Sequence, residues 1–264
     1  QKEKKSVYAR KSMEPDVASK RKYKNVNKRD HVPTDGLSAP RQLTREAASQ
    51  HDWSPDGKQL AFVRAVDGKA QIFVLSFDGG EPVQITKFKY GAGNPKWSPD
   101  GIQLLFSSSI TLKDLLKDTV LNPKKEIPTW PYEKPGFEKN GQLQTITAKA
   151  DPDGSLEEIR AYLDNNANDK KAKVINKLNF QEESTTNPEI SFNHFFIVNA
   201  EPGAQPLAVT HGFYRFNGAE FTPDGKQLII TGDIDSSQHP DRSLESEIFI
   251  ADANGNNIKK LLGE

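Results

Sequence analysis

The chain has 264 residues, 34% of them hydrophobic and 27% charged, which is enough apolar material for a substantial core. Thirty-six Lys and Arg balance thirty-six Asp and Glu, so no global field steers it toward nucleic acid, and no apolar run approaches the ~20 residues of a membrane-spanning helix. The absence of cysteine excludes disulfides, thiolate metal sites and thiol catalysis.

The first readable element is Ser6-Val7-Tyr8-Ala9-Arg10, a short strand. Lys11 to Asp30 is polar and basic and reads as a connection, with Lys20-Arg21-Lys22-Tyr23-Lys24 as a solvated loop. Asp35-Gly36 then leads to Arg41-Gln42-Leu43-Thr44, a turn and an outer strand.

Next comes a phrase that occurs three times: Trp53-Ser54-Pro55-Asp56-Gly57, Trp97-Ser98-Pro99-Asp100-Gly101 and Phe221-Thr222-Pro223-Asp224-Gly225. Recurrence at this fidelity means one structural unit used repeatedly. An aromatic closes a strand, Ser or Thr accepts a backbone hydrogen bond, Pro fixes φ, Asp tolerates the third position, and Gly takes a positive φ. The reading is therefore a hairpin turn, its aromatic packed between neighbouring units. After each turn runs an apolar stretch, Leu60-Ala61-Phe62-Val63, Leu104-Leu105-Phe106 and Leu228-Ile229-Ile230. Absence of alternation predicts strands covered on both faces.

A second phrase follows the first. Gln71-Ile72-Phe73-Val74-Leu75 runs through Asp78-Gly79-Gly80 to Gln84-Ile85-Thr86, a strand, a tight turn and a strand. His194-Phe195-Phe196-Ile197-Val198 leads likewise to Val209-Thr210, and Glu247-Ile248-Phe249-Ile250-Ala251 to Ile258 and Leu261-Leu262. Each unit thus holds four short antiparallel strands, and the first two turns begin 44 positions apart, the period of a four-stranded propeller blade. Such a blade buries its faces only against neighbours. The expected fold is an all-β propeller with about four blades, at 6–44, 53–86, 97–210 and 221–262, in a single and partial domain.

The third blade carries an insertion from about 109 to 193. Ser155 is a candidate N-cap for a helix over Leu156 to Leu163, with Leu156, Ile159, Tyr162 and Leu163 on its apolar side. Lys171 to Leu178 and Leu112 to Leu121 are further candidate helices. The extended piece around Trp130 and Tyr132 offers aromatics that can anchor a ligand or partner.

The five histidines, His31, His51, His194, His211 and His239, show no i,i+4 pairing or carboxylate clustering and read as structural. Asp233-Ile234-Asp235 opens like a calcium loop but lacks its later Gly and Glu. No catalytic residue, cofactor or metal ligand is nominated.

The repeated phrase, with its Gly80-Glu81-Pro82 and Leu43-Thr44 sequels, resembles the propeller repeat of TolB and of the N-terminal domains of prolyl oligopeptidase family serine peptidases. The order Arg41-Gln42-Leu43-Thr44, Trp53 to Phe62, Gln71 to Leu75 and Gln84-Ile85-Thr86 is similar to the opening blades of acylaminoacyl-peptidase-like and dipeptidyl-peptidase-like members, as is the insertion before His194. The resemblance implies a C-terminal α/β-hydrolase domain bearing a Gly-x-Ser-x-Gly nucleophile elbow. No such pentapeptide occurs in this sequence, so a fragment that caps the hydrolase site and admits short peptides is expected, inactive alone. In dipeptidyl-peptidase members, acidic propeller residues hold the substrate's amino group; Glu182 and Glu183 are the candidates for that role here. A stand-alone TolB-like protein- or peptide-binding propeller is the alternative, and a periplasmic or secreted location goes with either. An open run of blades is expected to expose apolar faces and dimerise.

Overall fold

The computed structural model describes residues 5–14, 24–33, 39–44, 47–128, 147–165, 190–234 and 246–263. The chain divides into one unit of residues 1–110, 192–234 and 244–264, and a second of residues 111–191 with 235–243.

The first unit is built from four antiparallel sheets, each folded from consecutive strands. β4 (Ser49–Trp53), β5 (Gln59–Val66), β6 (Lys69–Ser76) and β7 (Val83–Gln84) form the second sheet in simple meander order. β8 (Gly93–Trp97), β9 (Gln103–Thr111), β10 (Ser191–Asn199) and β11 (Leu207–Ala208) repeat it, as do β12 (Arg215–Phe221), β13 (Gln227–Asp233), β14 (Glu247–Asp252) and β15 (Lys259–Leu262). The all-β propeller architecture expected from the repeats is the one observed.

The first sheet departs from the sequence expectation. β1 (Lys5–Glu14) pairs along its whole length with β2 (Lys24–Pro33), and β3 (Arg41–Gln42) adds the outer strand, giving three strands in place of four. The described parts of the connection read over Lys11 to Asp30, residues 11–14 and 24–30, are therefore strand. Their polar side chains hid this, because the pairing rests on backbone register and not on an apolar pattern.

One device holds the outer strand in three sheets. Thr44, Thr86 and Thr210 are fully buried, and each hydroxyl accepts a backbone N–H of the strand paired with the outer one: from Arg29 at 3.0 Å, Ile72 at 2.8 Å and Phe195 at 2.9 Å. Gln42 and Gln84 each donate to the carbonyl of that Thr, at 2.9 and 2.8 Å. A buried hydroxyl satisfied in this way lets a two-residue strand end inside the core without orphaned donors.

The sheets pack face to face. Ala48, Phe62, Phe73 and Leu75 form one core cluster, against which Leu43 of the first sheet's outer segment packs. Phe88 bridges to Phe106 and Phe196 of the third sheet, with ring centroids 5.6 and 4.6 Å away. Leu105, Phe195, Ile197 and Val209 meet Phe216, Leu228, Ile230 and Phe249 in another cluster, where the third sheet joins the fourth. β5 and β9 are buried through their middles on both faces, as expected, but β13 alternates: Leu228 and Ile230 are buried while Ile229 is half-buried.

In the second unit, the helix expected over Leu112 to Leu121 is a single turn, α1 (Leu112–Leu115), capped by the Thr111 hydroxyl, which accepts from the Asp114 N–H at 3.2 Å. Asp118 ends it by accepting the N–H groups of Val120 and Leu121, both at 2.8 Å, an aspartate turn that outcompetes helix propagation. α2 (Leu156–Asn165) forms where expected, and Ser155 caps it in a full capping box: the Glu158 carboxylate accepts the Ser155 N–H at 2.7 Å. Its apolar side differs from the expectation. Leu156, Tyr162 and Leu163 are exposed and the buried residue is Ala161. Lys171 to Leu178 lies outside the described residues.

Candidate functional site

The three repeated turns share one geometry. Ser54 donates to Asp56 Oδ1 at 2.6 Å and accepts from Gln59 N–H at 2.9 Å, while Lys58 N–H donates to the same Asp56 oxygen at 3.0 Å. Ser98, Asp100, Ile102 and Gln103 repeat the pattern, as do Thr222, Asp224, Lys226 and Gln227. The hydroxyl bond and then the backbone bond hold all three Asp carboxyls below the usual carboxylate range. Asp thus does more than tolerate its position, since its carboxylate closes the turn. Gly57, Gly101 and Gly225 stand at φ +72°, +74° and +71°, the conformation a side chain resists.

The turns also stack from sheet to sheet. A Cβ on Gly101 would lie 3.6 Å from Pro55, and one on Gly225 would lie 3.4 Å from Pro99. The aromatics have individual roles. Trp53 stacks at 4.8 Å on Phe77, which also meets His31 of the first sheet, and Phe221 joins the cluster shared by the third and fourth. Trp97 is buried, and its backbone N–H crosses to the second sheet, donating to Asp52 Oδ2 at 2.8 Å. Trp53, Pro55, Asp56, Gly57, Trp97, Pro99, Asp100, Gly101, Phe221, Pro223, Asp224 and Gly225 are therefore scaffold.

The candidate substrate residues Trp130, Tyr132, Glu182 and Glu183 lie outside the described residues, as does the calcium-like segment from Asp235 onward. Among the described residues no group of three or more His, Asp or Glu side chains stands close enough to hold a metal. His194 is fully buried, its Nδ1 3.2 Å from the Thr210 hydroxyl. His211 and His51 are held below the usual imidazole range, His211 by burial alone and His51 by burial and then by the Arg29 charge.

Two surfaces of the first unit offer binding chemistry. The innermost strands carry exposed polar side chains, Gln50 on β4, Asn94 and Lys96 on β8, and Arg215, Asn217 and Glu220 on β12. A groove of about 390 Å³ runs where the third sheet meets the fourth, with Ile197, Leu207 and Ala253 as apolar lining and Gln103, Lys226, Asp252 and Asn254 as polar lining. This mixture suits an extended peptide, whose backbone needs donors and acceptors beside an apolar strip. No single segment announces it, because the lining comes from four separate strands and the turns beside them.

No known protein-family profile matches the chain. A curated relative, "Uncharacterized peptidase YuxL" of Bacillus subtilis (strain 168), is 36% identical over 61 residues, 23% of this chain and 9% of that protein. The solved acylaminoacyl peptidase of Pyrococcus horikoshii superposes over 97% of this chain and 30% of its own, with a TM-score of 0.50 at 14% identity. TolB from Acinetobacter baumannii aligns over 98% of this chain and 41% of its own, with a TM-score of 0.44 at 16% identity. The likeness to the acylaminoacyl peptidase agrees with the propeller fold, and the chain spans well under two thirds of each of these proteins.

Proposed function

We propose that this chain is the non-catalytic propeller of a prolyl oligopeptidase family serine peptidase, which admits short peptides to an α/β-hydrolase domain and contributes to holding them. The observation that carries the reading is the 36% identity over 61 residues to a protein described as a peptidase. Size selection follows from the scaffold. A sheet stack held by buried hydroxyls, stacked turns and aromatic bridges is stiff, so substrate width is limited by the space its strands leave.

In this reading Glu182 and Glu183 hold a substrate amino group, Trp130 and Tyr132 line the passage, and the groove beside Leu207 takes an extended segment. The enzyme works in the periplasm or outside the cell, as a dimer. No helix among the described residues is long and apolar enough to cross a membrane. The test is hydrolysis by the natural gene product of a dipeptide nitroanilide and of intact casein. Cleavage of the dipeptide with casein untouched supports the proposal; equal attack on both, or on neither, overturns it. A stand-alone binding propeller predicts the last outcome.

A further inference from the structure

The repeat exposes one position in the first sheet that breaks its own rule. The Thr hydroxyl bonds align Arg29 with Ile72 and Phe195, and the pairing of the outer strand with its neighbour aligns Asp30 with Phe73, Phe196 and Phe249. Where the other sheets read Ile72-Phe73-Val74, Phe195-Phe196-Ile197 and Ile248-Phe249-Ile250, the first reads Arg29-Asp30-His31. Three ionisable groups stand at three successive strand positions, Arg29 and Asp30 buried and His31 half-buried.

They separate by face, because strand side chains alternate. Asp30 points one way and pairs with Arg10, Nε to Oδ2 at 2.7 Å. Arg29 and His31 point the other way, toward the second sheet, where His31 sits 5.6 Å from the Phe77 ring and the Arg29 charge is felt by His51 on β4. Arg29 is 9% exposed, its Nε is buried without a hydrogen-bond partner, and no carboxylate among the described residues pairs with it. Of the nearby acids, Asp30 is engaged on the opposite face and Asp52 accepts the Trp97 backbone N–H. A buried guanidinium Nε without a hydrogen-bond partner is costly, and a repeat that elsewhere places Ile or Phe there has a cheaper solution available.

We propose that Arg29, flanked by His51 where the first sheet meets the second, is a binding site for a carboxylate-bearing ligand. The guanidinium fork matches a carboxylate with two parallel hydrogen bonds. Burial and then the Arg29 charge lower the His51 pKa while the Asp52 charge raises it, so Asp52 offsets part of the Arg29 charge and a singly charged carboxylate fits better than a doubly charged phosphate. The site is separate from the groove beside Leu207 and does not depend on the peptidase reading.

The test is NMR titration of the chain with acetyl-dialanine, its C-terminal amide and inorganic phosphate, following the His51 imidazole. Saturable shifts are expected with the free acid and not with the amide. Arg29→Ile, which restores the residue type of the second and fourth sheets, is expected to melt no lower than the parent and to lose at least about tenfold in affinity. Arg29→Lys keeps the charge without the fork and is expected to bind with intermediate affinity, which preserves the comparison if the Ile variant folds poorly. Absence of saturation in the parent, equal binding of acid and amide, undiminished affinity in Arg29→Ile or a response to phosphate alone would each overturn the proposal.

Discussion

Replacing Thr86 by Val isolates the hydroxyl that ends the second sheet, since the two side chains differ by little but the oxygen. Thr86 is fully buried; its Oγ1 accepts the Ile72 N–H at 2.8 Å and donates to Gln71 Oε1 at 2.8 Å. Gln71 keeps a second donor, the Phe88 N–H at 2.9 Å, so the substitution orphans one buried amide. An orphaned buried donor costs about 1–3 kcal/mol, and for a chain of this size that lowers the melting temperature by ~2–4 °C per kcal/mol. Urea unfolding of Thr86→Val is therefore expected to show a lower midpoint at unchanged slope, a loss of about 2 kcal/mol. Thr86→Ser, which keeps the oxygen, is expected to recover most of it. A Val variant within ~0.5 kcal/mol of the parent, the range of featureless surface changes, would refute the assignment and with it the same role for Thr44 and Thr210.

Gly225→Ala forces a side chain to φ +71° with Pro99 3.4 Å away, and is expected to cost about 1–2 kcal/mol in the same urea assay. Asp52→Ala leaves the backbone N–H of buried Trp97 without its acceptor; a loss of about 1–3 kcal/mol is expected, with Asp52→Asn restoring most of it. Asp56, Asp100 and Asp224 have carboxyls lowered by their Ser or Thr partners, so each is expected to titrate below ordinary aspartates in carbonyl NMR. Because the folded value lies below the unfolded one, their contribution is complete above the unfolded value and is lost as pH falls through the folded one. Ser98→Ala is expected to raise the Asp100 value toward normal.

The turns were legible in the sequence because Pro, Asp and Gly have few conformational alternatives, and the apolar runs after them marked strands directly. β2 was not, since Asn25, Asn27, Lys28, Arg29, Asp30 and His31 carry no strand signal and pairing with β1 and Thr44 supplies the stability instead. The same residues hold the Arg29 site, so the feature that hid the strand is the one with binding chemistry. The helix after Thr111 stopped early because Asp118 offers its carboxylate to the next amides, a local competition that apolar spacing does not register. The groove beside Leu207 depends on how separate strands and the turns beside them meet, which no single segment encodes.

The central claim, a non-catalytic propeller serving a serine hydrolase, is tested most directly by labelling the natural gene product and the isolated 264-residue chain with a fluorophosphonate probe. The account predicts a labelled serine in the natural product, mapped by mass spectrometry to a Gly-x-Ser-x-Gly peptide outside this chain, and no labelling of the chain alone. A labelled serine within the chain, or a natural product that takes up no probe while properly folded, would contradict it.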